Sequence, residues 1–253
     1  MRTATVVLAC VVGAALAGDP STTWEAFAVY TPAHDAHPHP HPHAHGQAAP
    51  NITSVSATYV VPTNPIADDG STPKWWVGLQ SADGNGVLMK PQLTWSNSSW
   101  GISTEVLDYS VTPNVKIVSK VIAVAAGDVI DASVTSADRT GASGTYRLSI
   151  GKQQGGGGAS ASVQTYTVRT ASEPQTRAYA VMEHQPKNCS ELPASGKFTF
   201  HDVQVGVGGN PGDTNLWVAK QHLPVCGARS TAADRTIMFS WDASARRQRA
   251  NVV

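Results

Sequence analysis

Three of the seven tryptophans, Trp75, Trp76 and Trp95, share one short stretch with Gln80, Lys90 and Gln92. Indole rings beside side-chain amides on extended chain can pave a groove that holds a polymer by stacking and hydrogen bonding. They can as easily fill a core, and periodicity favours the core. A carboxylate, Glu183, ends the apolar run 178–183; by itself it reads as a strand-edge partner for a cation. Six of the nine histidines, His34, His37, His39, His41, His43 and His45, are interleaved with Asp, Ala and Pro. Imidazoles at every second position can wrap a Zn²⁺ or Cu²⁺ ion. The same run also reads as a low-complexity tail with adventitious metal affinity, and both readings stand open. Ser-His-Asp chemistry could draw on His201-Asp202 or His222, but no Gly-x-Ser-x-Gly elbow accompanies them. No Glu-x-Asp-x-x-Glu-like run offers the paired carboxylates of a retaining glycosidase.

The elements that must carry these groups are short alternating runs. Val55, Ala57, Tyr59 and Val61 lie on one face, with Ser54, Ser56 and Thr58 opposite, before Pro62 stops the strand. Residues 75–80 and 87–95 flank Asp83-Gly84-Asn85-Gly86 and read as two strands joined by a reversal. Further strands are expected over 100–109, 115–126, 129–136, 146–150, 163–169, 179–183, 197–207, 216–221 and 235–241. Gly155-Gly156-Gly157-Gly158 reads as a hairpin tip, since neither a Lys-Ser/Thr pair nor a helix follows it. About a dozen strands with frequent turn signals and no amphipathic helix predict an all-β, antiparallel two-sheet sandwich.

Composition bounds the setting. With 41% hydrophobic residues over 253 positions the chain can bury one substantial core, and 18 basic against 18 acidic residues give nucleic acid no attraction. Arg2, the apolar run 4–16 and Ala15-Leu16-Ala17 read as a secretory signal peptide over 1–17, too short to span a membrane. Residues 18–50 show no apolar periodicity and, with alternating Pro, read as a His/Pro-rich flexible arm. The sandwich is expected over 51–243, and a basic tail over 244–253. The expectation is a secreted, extracellular monomer with no membrane attachment once the signal is removed. Cleavage also removes Cys10, leaving Cys189 and Cys226 as the simplest disulfide pair in an oxidising compartment. The loop it closes is worth roughly 3–4 kcal/mol in the chain-entropy model. Asn51, Asn97 and Asn188 head glycosylation sequons, the last with a half-cystine inside it.

Four pieces, taken in order, resemble the glutamic peptidases (eqolisins, peptidase G1): Trp76-Val77-Gly78-Leu79; Gly127-Asp128-Val129-Ile130; Ala178-Tyr179-Ala180-Val181-Met182-Glu183; and Cys189-Ser190-Glu191-Leu192-Pro193 before Phe198-Thr199-Phe200. The resemblance spans roughly residues 52–241. It implies a concanavalin A-like jelly roll and a peptide or protein substrate, with no cofactor required. Such peptidases pair a Glu with a Gln on the concave face, one a general base toward water and the other a donor to the oxyanion. The resemblance assigns the base to Glu183. The family Gln position falls on Lys90, with Gln92 keeping the same strand parity two residues on. Trp76, Gln80 and Trp95 would then line the groove. A Lys ammonium can donate to an oxyanion, but it would also pair with Glu183 and weaken it as a base. The alternative is a catalytically decayed sandwich that binds peptide or glycan through its Trp-lined groove.

Overall fold

In a computed structural model, the described residues are 23–32, 50–68, 70–81, 84, 86–154, 158–170, 174–184, 188–222 and 225–245. The expected signal peptide, the His-rich run 34–45 and most of the basic tail lie outside them. Sixteen strands occupy the described residues. One sheet, A, orders them β14 (Trp217–Gln221), β1 (Trp24–Tyr30), β11 (Gln175–Glu183), β3 (Lys74–Ser81), β4 (Val87–Ser96), β5 (Ser99–Asp108) and β6 (Val115–Val118), with β7 (Ile122–Val124) also on β5. Sheet B runs β10 (Gly158–Arg169), β9 (Thr145–Gln154), β8 (Val129–Ser136), β2 (Ile52–Val60), β12 (Lys197–Val207), β16 (Thr236–Ser240) and β15 (Arg229–Ala233), with β13 (Asn210–Pro211) on β12. Every pairing of named strands is antiparallel, so the all-β two-sheet sandwich expected from the alternation is the observed fold. The expected strand at 115–126 is two short ones, β6 and β7, both against β5.

The side-chain period of two decides what each sheet shows to either side. Trp75, Val77 and Leu79 of β3, Met89, Leu93 and Trp95 of β4, and Ala178, Ala180 and Met182 of β11 face sheet B and join Tyr59, Phe198, Phe200 and Trp241 in the main core. Trp75 stacks on Phe198 at 5.1 Å, and Trp95 meets Trp100 edge-on at the same distance. The residues between these point out of the sandwich, and there a second apolar cluster forms from Trp24, Phe27, Val29, Trp76, Leu88, Tyr179 and Val181.

β1 corrects the reading of 18–50 as arm throughout. All seven of its residues are buried, and it pairs with β11 and β14 on its two edges. Apolar material covers both its faces, so Trp24–Tyr30 shows none of the alternation by which a one-sided strand is recognised. Against β11 its register jumps from Trp24↔Glu183 to Ala26↔Met182, leaving Glu25 as the extra residue of a bulge. The bulge lets Trp24 and Phe27 share one face. Glu25 itself is fully buried, with Oε1 3.3 Å from Nδ1 of His184. Nε2 of the same ring lies 3.4 Å from Glu191 and 3.0 Å from Ser71 Oγ. This knot joins β1, the end of β11, the 3-10 turn Cys189–Glu191 and the loop before β3, and it fixes the chain one residue past Glu183. The turn is also tied by the Cys189–Cys226 disulfide, the pairing expected from the sequence.

Of the sequons, Asn97 stands at the exposed β4–β5 turn, whereas the Asn51 amide is engaged on both sides: Oδ1 accepts from Gln175 N at 2.9 Å and from the Tyr146 hydroxyl at 3.2 Å, and Nδ2 donates to Thr140 O. A glycan on Asn51 would have to break that network. Asn188, at the start of the 3-10 turn, is exposed. Among the described residues, no helix is long and apolar enough to cross a membrane.

Two outcomes follow for stability. Opening the 37-residue disulfide loop with Cys189→Ala/Cys226→Ala should cost roughly 3–4 kcal/mol in denaturant unfolding, and an unchanged midpoint would show the loop constrained by other means. Burial, aided by the charge of Glu191, raises the Glu25 carboxyl from 4.5 to about 9. The unfolded chain gives up this proton first, so the stability contributed by a neutral Glu25 is complete below pH 4.5 and is lost as pH rises toward 9, by up to about 1.4 kcal/mol per pH unit. Thermal melts across that window should fall less steeply for Glu25→Gln than for the parent; parallel profiles would exclude Glu25 as the titrating group.

Candidate active site

The outward face of sheet A carries a row of charged groups that strand register assembles. Lys90 on β4 lies directly across from Glu105 on β5, and Gln92 across from Ser103. On the other side, Trp76 of β3 faces Gln92 and Val181, and Lys74 faces Glu183. Glu183 is thus two strands across and two same-face rows along from Lys90, a gap that only a long side chain closes. Gly78 keeps that gap open: a Cβ there would lie 2.3 Å from the Met89 carbonyl and 3.2 Å from the Trp76 ring. The indole lies over the glycine, and the Lys90 ammonium lies 5.2 Å from its centroid.

From that position Lys90 Nζ donates to Glu105 Oε1 at 2.8 Å and to Glu183 Oε2 at 3.0 Å. Trp76 Nε1 donates to the same Glu183 oxygen at 2.9 Å. Lys116, reaching in from β6, lies 3.0 Å from the far oxygen of Glu105, and Lys74 lies 3.8 Å from Glu183 Oε1. The side chains of Lys90 and Glu105 are 3% and 2% exposed, against 14% for Glu183. The chain is therefore sealed at the Glu105 end and reaches solvent at Glu183. Tyr109, half-buried beside the outer apolar cluster, lies in the field of the same three groups, with burial the main reason its hydroxyl is raised.

The electrostatics follow the geometry. Burial alone would raise the Glu183 carboxyl, but the charges of Lys90 and Lys74 and the hydrogen bonds from Lys90 and Trp76 outweigh it and hold the group below the usual carboxylate range. The same contest, won by Lys90 and Lys74, lowers Glu105 to about 2. Burial acts to lower Lys90, and its two carboxylate partners more than reverse that. Each of the three groups is thereby shifted toward its ionised form. Trp76 and Lys90 occupy Glu183 Oε2, so Oε1 is the oxygen able to take a proton from water.

Of the residues singled out from sequence, Glu183 and Lys90 come together as expected; Trp76 joins them as a hydrogen-bond donor, but it is fully buried among the outer apolar cluster and does not line an open groove. Gln92 has the expected parity, but its amide donates to Ser103 Oγ at 3.3 Å and to Glu105 Oε2 at 3.4 Å rather than reaching toward Glu183. Gln80 is on the same face, with its amide donating to Gly84 O. Trp95 does not line the groove: its odd position on β4 turns it into the main core, where it is 5% exposed. His201 and Asp202 are exposed, and Asp202 pairs with Arg235. Glu105, Lys74, Lys116 and Trp24 were not foreseen. Glu105 at an alternation position carrying charge between Ser103 and Leu107 was the available signal, but its partner depends on β4–β5 register.

Comparison with known proteins bears on the whole arrangement. A search of curated proteins gives no match. Among solved structures, scytalidoglutamic peptidase bound to a peptide-based transition-state analogue superposes with a TM-score of 0.56 at 14% identity, covering 87% of this chain and 98% of that one. A second structure of that peptidase, with a transition-state analogue inhibitor, gives 0.56 at 15% identity and the same coverage. Aspergilloglutamic peptidase from Aspergillus niger gives 0.45 at 14%, covering 67% and 98%. The two scytalidoglutamic peptidase likenesses show the β-sandwich fold. The Peptidase A4 family model matches residues 44–222, well over half of the chain and including Trp76, Lys90, Glu105 and Glu183, and the protein belongs to that family, the glutamic peptidases.

Proposed function

We propose that this protein is an exported endopeptidase of the glutamic type, with Glu183 as general base and Lys90 in the place of the family's Gln. The observation that carries this reading is the Lys90–Glu183 contact at 3.0 Å on the outward face of sheet A, with Glu183 the member open to solvent. Water held at Oε1 gives a proton to Glu183 as its oxygen adds to the peptide carbonyl. The developing oxyanion takes a hydrogen bond from the Lys90 ammonium, which has a third N–H beyond those used by Glu105 and Glu183. Glu183 then returns the proton to the departing amine as the C–N bond breaks. Trp76 holds the carboxylate in place, and Glu105 holds the ammonium. Export is supported by the disulfide, a bond of oxidising compartments, and Asn97 and Asn188 are the sequon asparagines that stand exposed.

One observation favours a second reading. Lys90 sits between two carboxylates in a closed ion pair, and that pair competes with the water both groups should hold. In this reading the site is a decayed one that binds peptide along the Trp76 face.

The deciding assay is cleavage of a denatured protein at acid pH by the parent, Glu183→Gln and Lys90→Gln. The peptidase reading expects cleavage by the parent and a loss of about a hundredfold or more in Glu183→Gln. An inert parent with activity appearing in Lys90→Gln establishes decay, and inertness of all three removes the peptidase reading. The pH profile adds a second outcome. Because Glu183 is held below its ordinary range, it remains a base at lower pH than a free glutamate, and the acid limb should lie below the ordinary 4.5. Removing the Lys90 charge should move that limb upward; a limb that stays put or moves down would show that another group titrates.

A further inference from the structure

The other outer face of the sandwich holds a cleft that the peptidase chemistry does not use. It is about 590 Å³, and its floor is built by Ser54 and Ser56 of β2, Thr135 of β8, and Gln204 and Gly206 of β12. The turn at 137–139, the segment 209–214 and Arg235 line its walls. A second hollow of about 280 Å³ shares Ser56 and Gln204 with it, so the two are continuous along the sheet.

The floor is ordered by register. Gln204, Ser56, Ser133 and Ser149 are successive cross-strand neighbours, and Gly206, Ser54 and Thr135 form the next row. The result is a lattice of short hydroxyls and one amide on a surface whose opposite side is the main core. Gly206 keeps the floor low, since a Cβ there would lie 2.5 Å from Ser54 Oγ. Two guanidinium groups stand at the walls. The Asp138 carboxylate beside Arg139 is spent on its own turn, accepting from Thr140 N at 2.9 Å, Ala142 N at 3.1 Å and Ser143 N at 2.8 Å. Arg235 has a long contact of 3.5 Å with the exposed Asp202.

We infer that this cleft binds an oligosaccharide bearing carboxylates, a uronic-acid chain. Rows of hydroxyls and an amide match a polyol's closely spaced donors and acceptors, and guanidinium groups take carboxylates in paired hydrogen bonds. A peptide is disfavoured by the floor. β2 is paired on both edges, so its backbone groups are used and no peptide strand can be added there.

The test is calorimetric titration of the full chain with oligogalacturonate, with a neutral cello-oligosaccharide and poly-glutamate in parallel. The expected result is saturable binding of oligogalacturonate, tighter than of the other two. It should weaken at least about tenfold in Arg139→Ala/Arg235→Ala, the scale of a lost charge-assisted hydrogen bond. Ser56→Trp, which fills the floor, should abolish it. The arginine pair sits in exposed turns, so a melt matching the parent's keeps that variant interpretable even if Ser56→Trp misfolds. Absence of saturable binding, equal affinity in the arginine variant, equal affinity for the neutral sugar, or tighter binding of poly-glutamate would each overturn the assignment.

Discussion

A buried ammonium cannot stand alone. Lys90 is placed on a sheet face where its side chain is almost wholly removed from water, and in that setting an uncompensated charge costs several kcal/mol. Glu105 and Glu183 compensate it from opposite sides, and each needs a further partner of its own: Lys116 for Glu105, and Trp76 with Lys74 for Glu183. The five strands β11, β3, β4, β5 and β6 are therefore linked by one alternating series of charges in addition to their ladders. Any slip of register would separate these partners and turn Lys90 into the core, so the charge series and the apolar alternation demand the same pairing.

The chemistry is exposed at only one end of that series, and the fold arranges which end. Glu105 sits under Lys116 and Gln92, whereas Glu183 is the last residue of β11 and lies beside the bulge in β1. The bulge does two things with one inserted residue. It brings Trp24 round to the ring of Trp76, 5.1 Å away, and it turns Glu25 into the buried knot with His184. Backbone and side-chain ties thus hold the chain on both sides of the candidate base, which is the preorganisation that general-base chemistry requires.

In the reading proposed for this site, an ammonium stands where the family has an amide, and Lys90 then helps hold the candidate base Glu183 below the usual carboxylate range, at the cost of basicity, and brings Glu105 with it as a counter-charge. Glu105 and Lys90 are coupled, since removing either takes one of two ionic partners from a buried charge, leaving Glu183 for Lys90 or Lys116 for Glu105. The opposite sheet shows the contrast: its outward face is rich in hydroxyls, and a carboxylate among them, Asp131, is held by neutral donors from Thr58 and Gln153 rather than by a buried ion pair.

The alternation in 52–60, 129–136 and 197–207, together with the turn signals, determined an antiparallel sandwich, because strands with one wet face record that face in every second residue. The motif around Trp76 and the run ending in Glu183 marked the family and a candidate base, and parity put Lys90 and Gln92 on one side. What required tertiary structure was everything that depends on which strands lie side by side. Trp24–Tyr30 was invisible because a strand covered on both faces has no period to read. Trp95 could not be sent to the core without knowing which parity faced sheet B. Glu105 was silent because its importance is a cross-strand relation: sequence records what a residue is and which way it alternates, while register alone decides which charge it meets.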